Sequence, residues 1–130
     1  MDAITPQDFF AGCPDGLAVF GRVKDLIDKA APDATVRVSK SQVAFRRRRG
    51  FAYLWRPGQY LRNPGAEVVL SIALARQVGS ARFKQVVQPA PSVWMHHMEI
   101  RSLEDLDDEV AAWLREAAGN AGDEPSAATR

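Results

Sequence analysis

The apolar residues of this chain change their spacing twice, and that change restricts which folds can bury them. From Leu17 through Phe20, Val23, Ile27 and Ala30 they recur at steps of three and four, with Arg22, Lys24, Asp25, Asp28 and Lys29 on the other side. That period is a helix with one buried stripe. Cys13-Pro14-Asp15 opens it and Pro32 closes it, so the helix is expected over about Pro14 to Ala31. A shorter turn precedes it, with Thr5 as N-cap, Pro6 where its missing N–H costs nothing, and Phe9 and Phe10 as apolar anchors.

After Pro32 the period becomes two. Val36 and Val38, then Val43 and Phe45, then Phe51, Tyr53 and Trp55 alternate with their neighbours, which predicts three consecutive strands. Their links, Lys40-Ser41-Gln42 and Arg47-Arg48-Arg49-Gly50, are hairpin-sized. Val68 to Leu74 is apolar throughout, which suits a central strand, and Trp94 to Ile100 makes a last one. Arg76 to Gln88 carries no decisive pattern, and Pro89 and Pro91 break the chain after it. Helical spacing returns at Leu103, Leu106, Val110, Trp113, Leu114 and Ala117, behind a capping box of Ser102 with Asp105.

Links too short for crossovers require antiparallel pairing. The expected fold class is therefore α+β: an antiparallel sheet of about five strands with N- and C-terminal helices packed on one face. One domain is expected over 1–118. The small, aperiodic, polar stretch 119–130 is expected to be a disordered tail. No apolar run reaches the roughly 18–20 residues that cross a bilayer, so no membrane partner is expected. The N-terminus carries Asp2 and Asp8 and no basic start, unlike a secretory signal. Cys13 is the single cysteine, so no internal disulfide forms, and the cytoplasm is the expected location.

Net charge is +1, but the charges are sorted along the chain. Met1 to Asp33 holds six acids and three bases, Ala34 to Met98 eleven bases and one acid, and Glu99 to Arg130 nine acids and three bases. Arg46-Arg47-Arg48-Arg49 lies in the basic part, interleaved with Phe45, Phe51, Tyr53, Trp55 and Tyr60. Arginines neutralise anions and aromatic rings stack on planar groups. The candidate ligand-binding residues are accordingly Arg46, Arg48, Arg56 and Arg62 for charge, Tyr53, Trp55 and Tyr60 for stacking, and His97. Against this stands a plainer reading, in which the arginines are solvated, protect a sheet edge or pair with the acidic helices.

Arg49-Gly50-Phe51-Ala52-Tyr53-Leu54-Trp55 follows an RNA-recognition-motif octamer for seven positions and departs from it at Arg56. That fold also needs a strand before its first helix, where this chain has a helical turn. His96 and His97 are neighbours in a strand and point to opposite faces, so they cannot share one metal ion. His97 with Glu99 could begin an enzymatic or metal site but lacks a third group. Cys13 reads as a buried, inert thiol, and the acids from Glu104 to Glu109 as complements to a helix dipole. No P-loop, nucleophile elbow, zincin motif or dinucleotide turn occurs, and no catalytic residue, metal or cofactor is assigned.

Phe9-Phe10, the basic-turned strands from Val36 to Trp55, and His97 before Ile100-Arg101-Ser102-Leu103-Glu104-Asp105-Leu106-Asp107 resemble an uncharacterised bacterial domain family of unknown function, sometimes labelled a predicted transport protein. The resemblance spans about Thr5 to Ala118. It also extends, distantly, to small iron-chaperone-like α+β domains, which implies an antiparallel sheet backed by helices. It supplies no catalytic residue. The residues themselves point first to a module that binds an anionic small molecule on a basic, aromatic sheet surface. A nucleic-acid-binding domain is the first alternative. A protein-interaction or metal-handling domain using the acidic C-terminal helix is the second.

Overall fold

Thr5 begins the structure as its side chain requires. Its hydroxyl accepts the Asp8 N–H at 3.0 Å, and the Asp8 carboxylate accepts the Thr5 N–H at 3.0 Å. The computed structural model describes residues 4–59 and 66–122. In chain order they form α1 (Pro6–Phe9), α2 (Pro14–Ala30), β1 (Thr35–Val38), β2 (Val43–Arg46), β3 (Gly50–Trp55), β4 (Val68–Leu74), β5 (Gln85–Ala90), β6 (Val93–Ile100) and α3 (Asp108–Gly122). Single 3-10 turns lie at Pro57–Gln59 and Leu103–Asp105.

The strands make one open sheet in the order β1-β2-β3-β4-β6-β5, with every neighbouring pair antiparallel. Residues opposite one another in such a pair share a face. Phe45, Ala52, Ile72 and His96 form one row across the inner face, and Val43, Leu54, Leu70 and Met98 the next. All eight are buried. Against these rows α2 sets Val19, Phe20, Val23 and Ile27, with the Phe20 and Phe45 rings stacked at 5.9 Å. α3 brings Val110, Trp113, Leu114, Ala117, Ala118 and Ala121. Burying each larger side chain in this way contributes about 1.5–3 kcal/mol, so the helix-to-sheet layer is the core.

Three expectations change. Among the described residues the sheet has six strands, not about five, because the ambiguous stretch supplies β5. Five of the six β5 residues are exposed, so it shows no inward period, and Pro89 fits on an edge that needs no N–H. The Ser102–Asp105 capping box closes a 3-10 turn, not the helix itself. α3 restarts at Asp108 under Asp107, which accepts the Val110 N–H at 3.2 Å, and Leu103 is left exposed. Finally, α3 continues through Gly122, with Ala121 buried, so 119–122 belong to the helix and not to a tail.

The sorted charges meet in space. Arg82 bonds Asp107 at 2.9 Å, Glu109 at 2.8 Å and the Asp105 carbonyl at 2.7 Å, with its guanidinium 5.9 Å from the Trp113 ring. Arg76 holds Glu116 with two bonds of 2.9 Å. Part of the basic middle thus neutralises the acidic helix. Among the described residues, no helix is long and apolar enough to cross a membrane.

Candidate ligand-binding site

Among the described residues no helix covers the outer face of the sheet, and its central rows hold polar and aromatic side chains. Tyr53, Ser71, His97 and Gln85 are opposed across β3, β4, β6 and β5, and Trp55, Val69 and Glu99 form the next row. Trp55 leans across the rows. Its Nε1–H donates to Ser71 Oγ at 2.9 Å, and Ser71 Oγ lies 2.6 Å from His97 Nδ1. The two rings meet edge to face, 6.1 Å between centroids.

Trp55 Nε1–H can only donate, so Ser71 Oγ accepts from it. Ser71 keeps a second lone pair and one proton, so its bond to His97 Nδ1 fits either imidazole tautomer. With Ser71 as the donor, the neutral ring carries its proton on Nε2. Burial, reinforced by the neighbouring His96, holds the His97 pKa below the ordinary histidine value, which favours the neutral ring. Nε2 has no protein partner among the described residues. Ser71 itself is only 3% exposed, which makes it the floor of the arrangement.

Two open cavities flank the Trp55–His97 contact. One, about 420 Å³, is lined by Gln42, Tyr53, Trp55, Ser71, Met95 and His97. The other, about 230 Å³, is lined by Trp55, Val69, Lys84, Gln85, His97 and Glu99. Lys84 and Glu99 pair at 3.0 Å, and Arg101 takes the second Glu99 oxygen at 2.9 Å. The Lys84 hydrogen bond, ahead of the Arg101 one, keeps the Glu99 carboxyl below the usual glutamate range.

Of the residues that the sequence nominates, Tyr53, Trp55 and His97 come together here. Arg46, Arg48 and Arg56 do not join them. Arg46 sits half-buried beside the β2–β3 irregularity, opposite Thr35 and Gly50. Arg48 is exposed in the turn, where its backbone N–H donates to the Ala121 carbonyl at 3.1 Å. Arg56 reaches the Phe9 carbonyl at 3.3 Å, because strand alternation after Trp55 turns it away from the outer face. Tyr60 and Arg62 lie outside the described residues.

The two histidines diverge as strand geometry demands. His96 is fully buried on the inner face, where Nε2 accepts the Val78 N–H at 3.0 Å and Nδ1–H donates to the Trp94 carbonyl at 3.0 Å. Both ring nitrogens are therefore occupied by backbone. Cys13 is buried, and its thiol donates to Glu67 at 3.1 Å. Among the described residues, no group of three or more His, Cys, Asp or Glu side chains is placed to hold a metal ion.

Ser71, Met95 and Lys84 belong to the site but escape a reading by residue type. Ser71 had a signal: it is the one hydroxyl inside the apolar run Val68–Leu74. A polar group in a strand buried on both faces needs a partner. Lys84 had none, since its place depends on the register of a strand without periodicity.

Searches of curated proteins and of solved structures found no match. Residues 7–119 match the family described as "Domain of unknown function (DUF5655)", and over that span the chain belongs to this family.

Proposed function

We propose that the chain is a binding module that holds an anionic small molecule on the outer face of its sheet. One observation carries this reading: the Trp55–Ser71–His97 hydrogen-bond chain forms the floor of a cavity and leaves His97 Nε2 without a partner among the described residues. With Ser71 donating to Nδ1, Nε2 carries the proton. A ligand oxygen completes that set. Tyr53, Trp55 and Met95 supply apolar and aromatic walls, the usual surroundings of a few placed polar groups in a small-molecule site. Nucleic acid is less well supported, because Arg47 and Arg49 spend donors on main-chain carbonyls of α3. The acidic-helix alternative loses support from the engagement of Asp107, Glu109 and Glu116 by arginines.

The test is imidazole-detected NMR of the whole chain while small organic anions are added. Saturable shifts at His97, lost in Ser71→Ala and Trp55→Ala with the fold intact, are the expected result. Binding that leaves His97 unperturbed, or survives both substitutions, would overturn the site. Length-dependent binding of single-stranded RNA or DNA in its place would favour the polymer reading.

A further inference from the structure

Lys84, not the arginine turn, stands where a bound anion would be read. Its backbone N–H donates to the His97 carbonyl at 2.8 Å, which fixes it beside that residue. Its ammonium lies 3.0 Å from one Glu99 oxygen while Arg101 occupies the other. Two cations thus face one carboxylate, and the cluster keeps one positive charge at the rim of the smaller cavity. Lys84 is 62% exposed along its side chain, so its other ammonium protons remain open to water.

We propose that the ligand is a planar monocarboxylate, an acid carried on an aromatic or conjugated ring, with its two oxygens shared between His97 Nε2–H and the Lys84 ammonium and its ring on Trp55. This deepens the small-molecule reading and rests on it. Two single-point donors match the two oxygens of a carboxylate. Phosphate sites more often gather helix-terminal amides, backbone nests or an arginine fork. Here the strand amides serve the sheet ladder, and one excess charge balances a monoanion. Trp55 and His97 line both cavities, so a ligand lying against this pair would set its ring on the Tyr53 side and its acid on the Lys84 side.

Calorimetry with 1-naphthoate, 1-naphthamide and 1-naphthyl phosphate on the intact chain tests this. The acid is expected to bind at least about tenfold more tightly than the amide, and more tightly than the phosphate. Lys84→Met should erase the preference of acid over amide, weakening the acid by more than it weakens the amide. Circular dichroism checks that the exposed substitution leaves the fold alone. Equal binding of acid and amide, a preference that survives Lys84→Met, or a preference for the phosphate would each overturn the carboxylate assignment. In those cases, amide binding that Trp55→Ala abolishes would leave the small-molecule site standing. No binding by any of the three probes at millimolar concentration, with His97 silent, would overturn both.

Discussion

Arg47 donates from Nη1 to the carbonyl oxygen of Ala118 at 2.9 Å, tying the β2–β3 turn to the last turn of α3. The final carbonyls of a helix have no partner within it and carry the negative end of its dipole. Arg48 and Arg49 meet that need, and Arg47 adds a bond just before it. Arg47 takes Ala118, the Arg48 N–H takes Ala121, and the Arg49 guanidinium takes Asn120. Gly122 lies directly against the Arg47 guanidinium, where a Cβ would collide with it. The most conspicuous motif of the sequence is thus a helix cap supplied from a distant hairpin.

Arg47→Ala should therefore lower stability by roughly 1–2 kcal/mol, the range for a part-buried charge-assisted bond to a carbonyl with its dipole benefit. The exposed Asp33 partner at 3.1 Å adds little. Urea denaturation measures this, and hydrogen exchange should show the loss first at the end of α3. An unchanged midpoint would mean that the contact carries no stability.

Trp113 is 7% exposed, with its ring 4.6 Å from Phe83 and Arg82 above it. Trp113→Ala should cost about 3–5 kcal/mol, as large core truncations do. A thermal melt reads this directly. A wild-type melting temperature would remove Trp113 from the core.

Acid should weaken the fold in two separate stages. His97 is held below its ordinary pKa by burial and by His96, so the unfolded chain takes up its proton at higher pH than the folded one. The resulting stability is complete above the unfolded value of about 6.5 and is lost as pH falls through the lower folded value. Glu99, Asp107 and Glu116 have carboxyls lowered by Lys84, Arg82 and Arg76 respectively. Their stability is present above the unfolded carboxyl values of about 4 and disappears only below them. Melting temperatures across pH should show both stages, and His97→Gln should flatten only the upper one. A variant that retains the upper slope would assign it elsewhere.

The Cys13 thiol is pushed up by burial first and then by its bond to Glu67, so the reactive thiolate is scarce and enclosed. Iodoacetamide at mildly alkaline pH should label the native chain far more slowly than the urea-unfolded chain. Equal rates in the two states would show an accessible thiol.

How much of this was legible in the sequence depends on whether the information is periodic or relational. Val43 and Phe45, the continuous run of β4, and the stripe from Phe20 to Ile27 announce their faces because one side of each element is buried. Thr5 and Asp8 announce a helix start because the cap is local. β5 announces nothing, since an exposed edge strand is held by backbone bonds that any residue can make. Tyr53, Trp55 and His97 stand out by type, but what unites them is cross-strand register through Ser71. The arginines were conspicuous for a property, charge, whose target is set only when residues 71 positions apart come together.

The insertion of β6 between β4 and β5 has a consequence for synthesis. A chain emerging from its N-terminus completes the meander from β1 to β4 while one margin of β4 still waits for a strand made later. Until Val93–Ile100 appears, the most apolar strand of the sheet presents unpaired amides and carbonyls along that margin. The nascent protein is therefore most prone to intermolecular strand addition in the interval between these two strands, and release of β6 as a hairpin with β5 closes it.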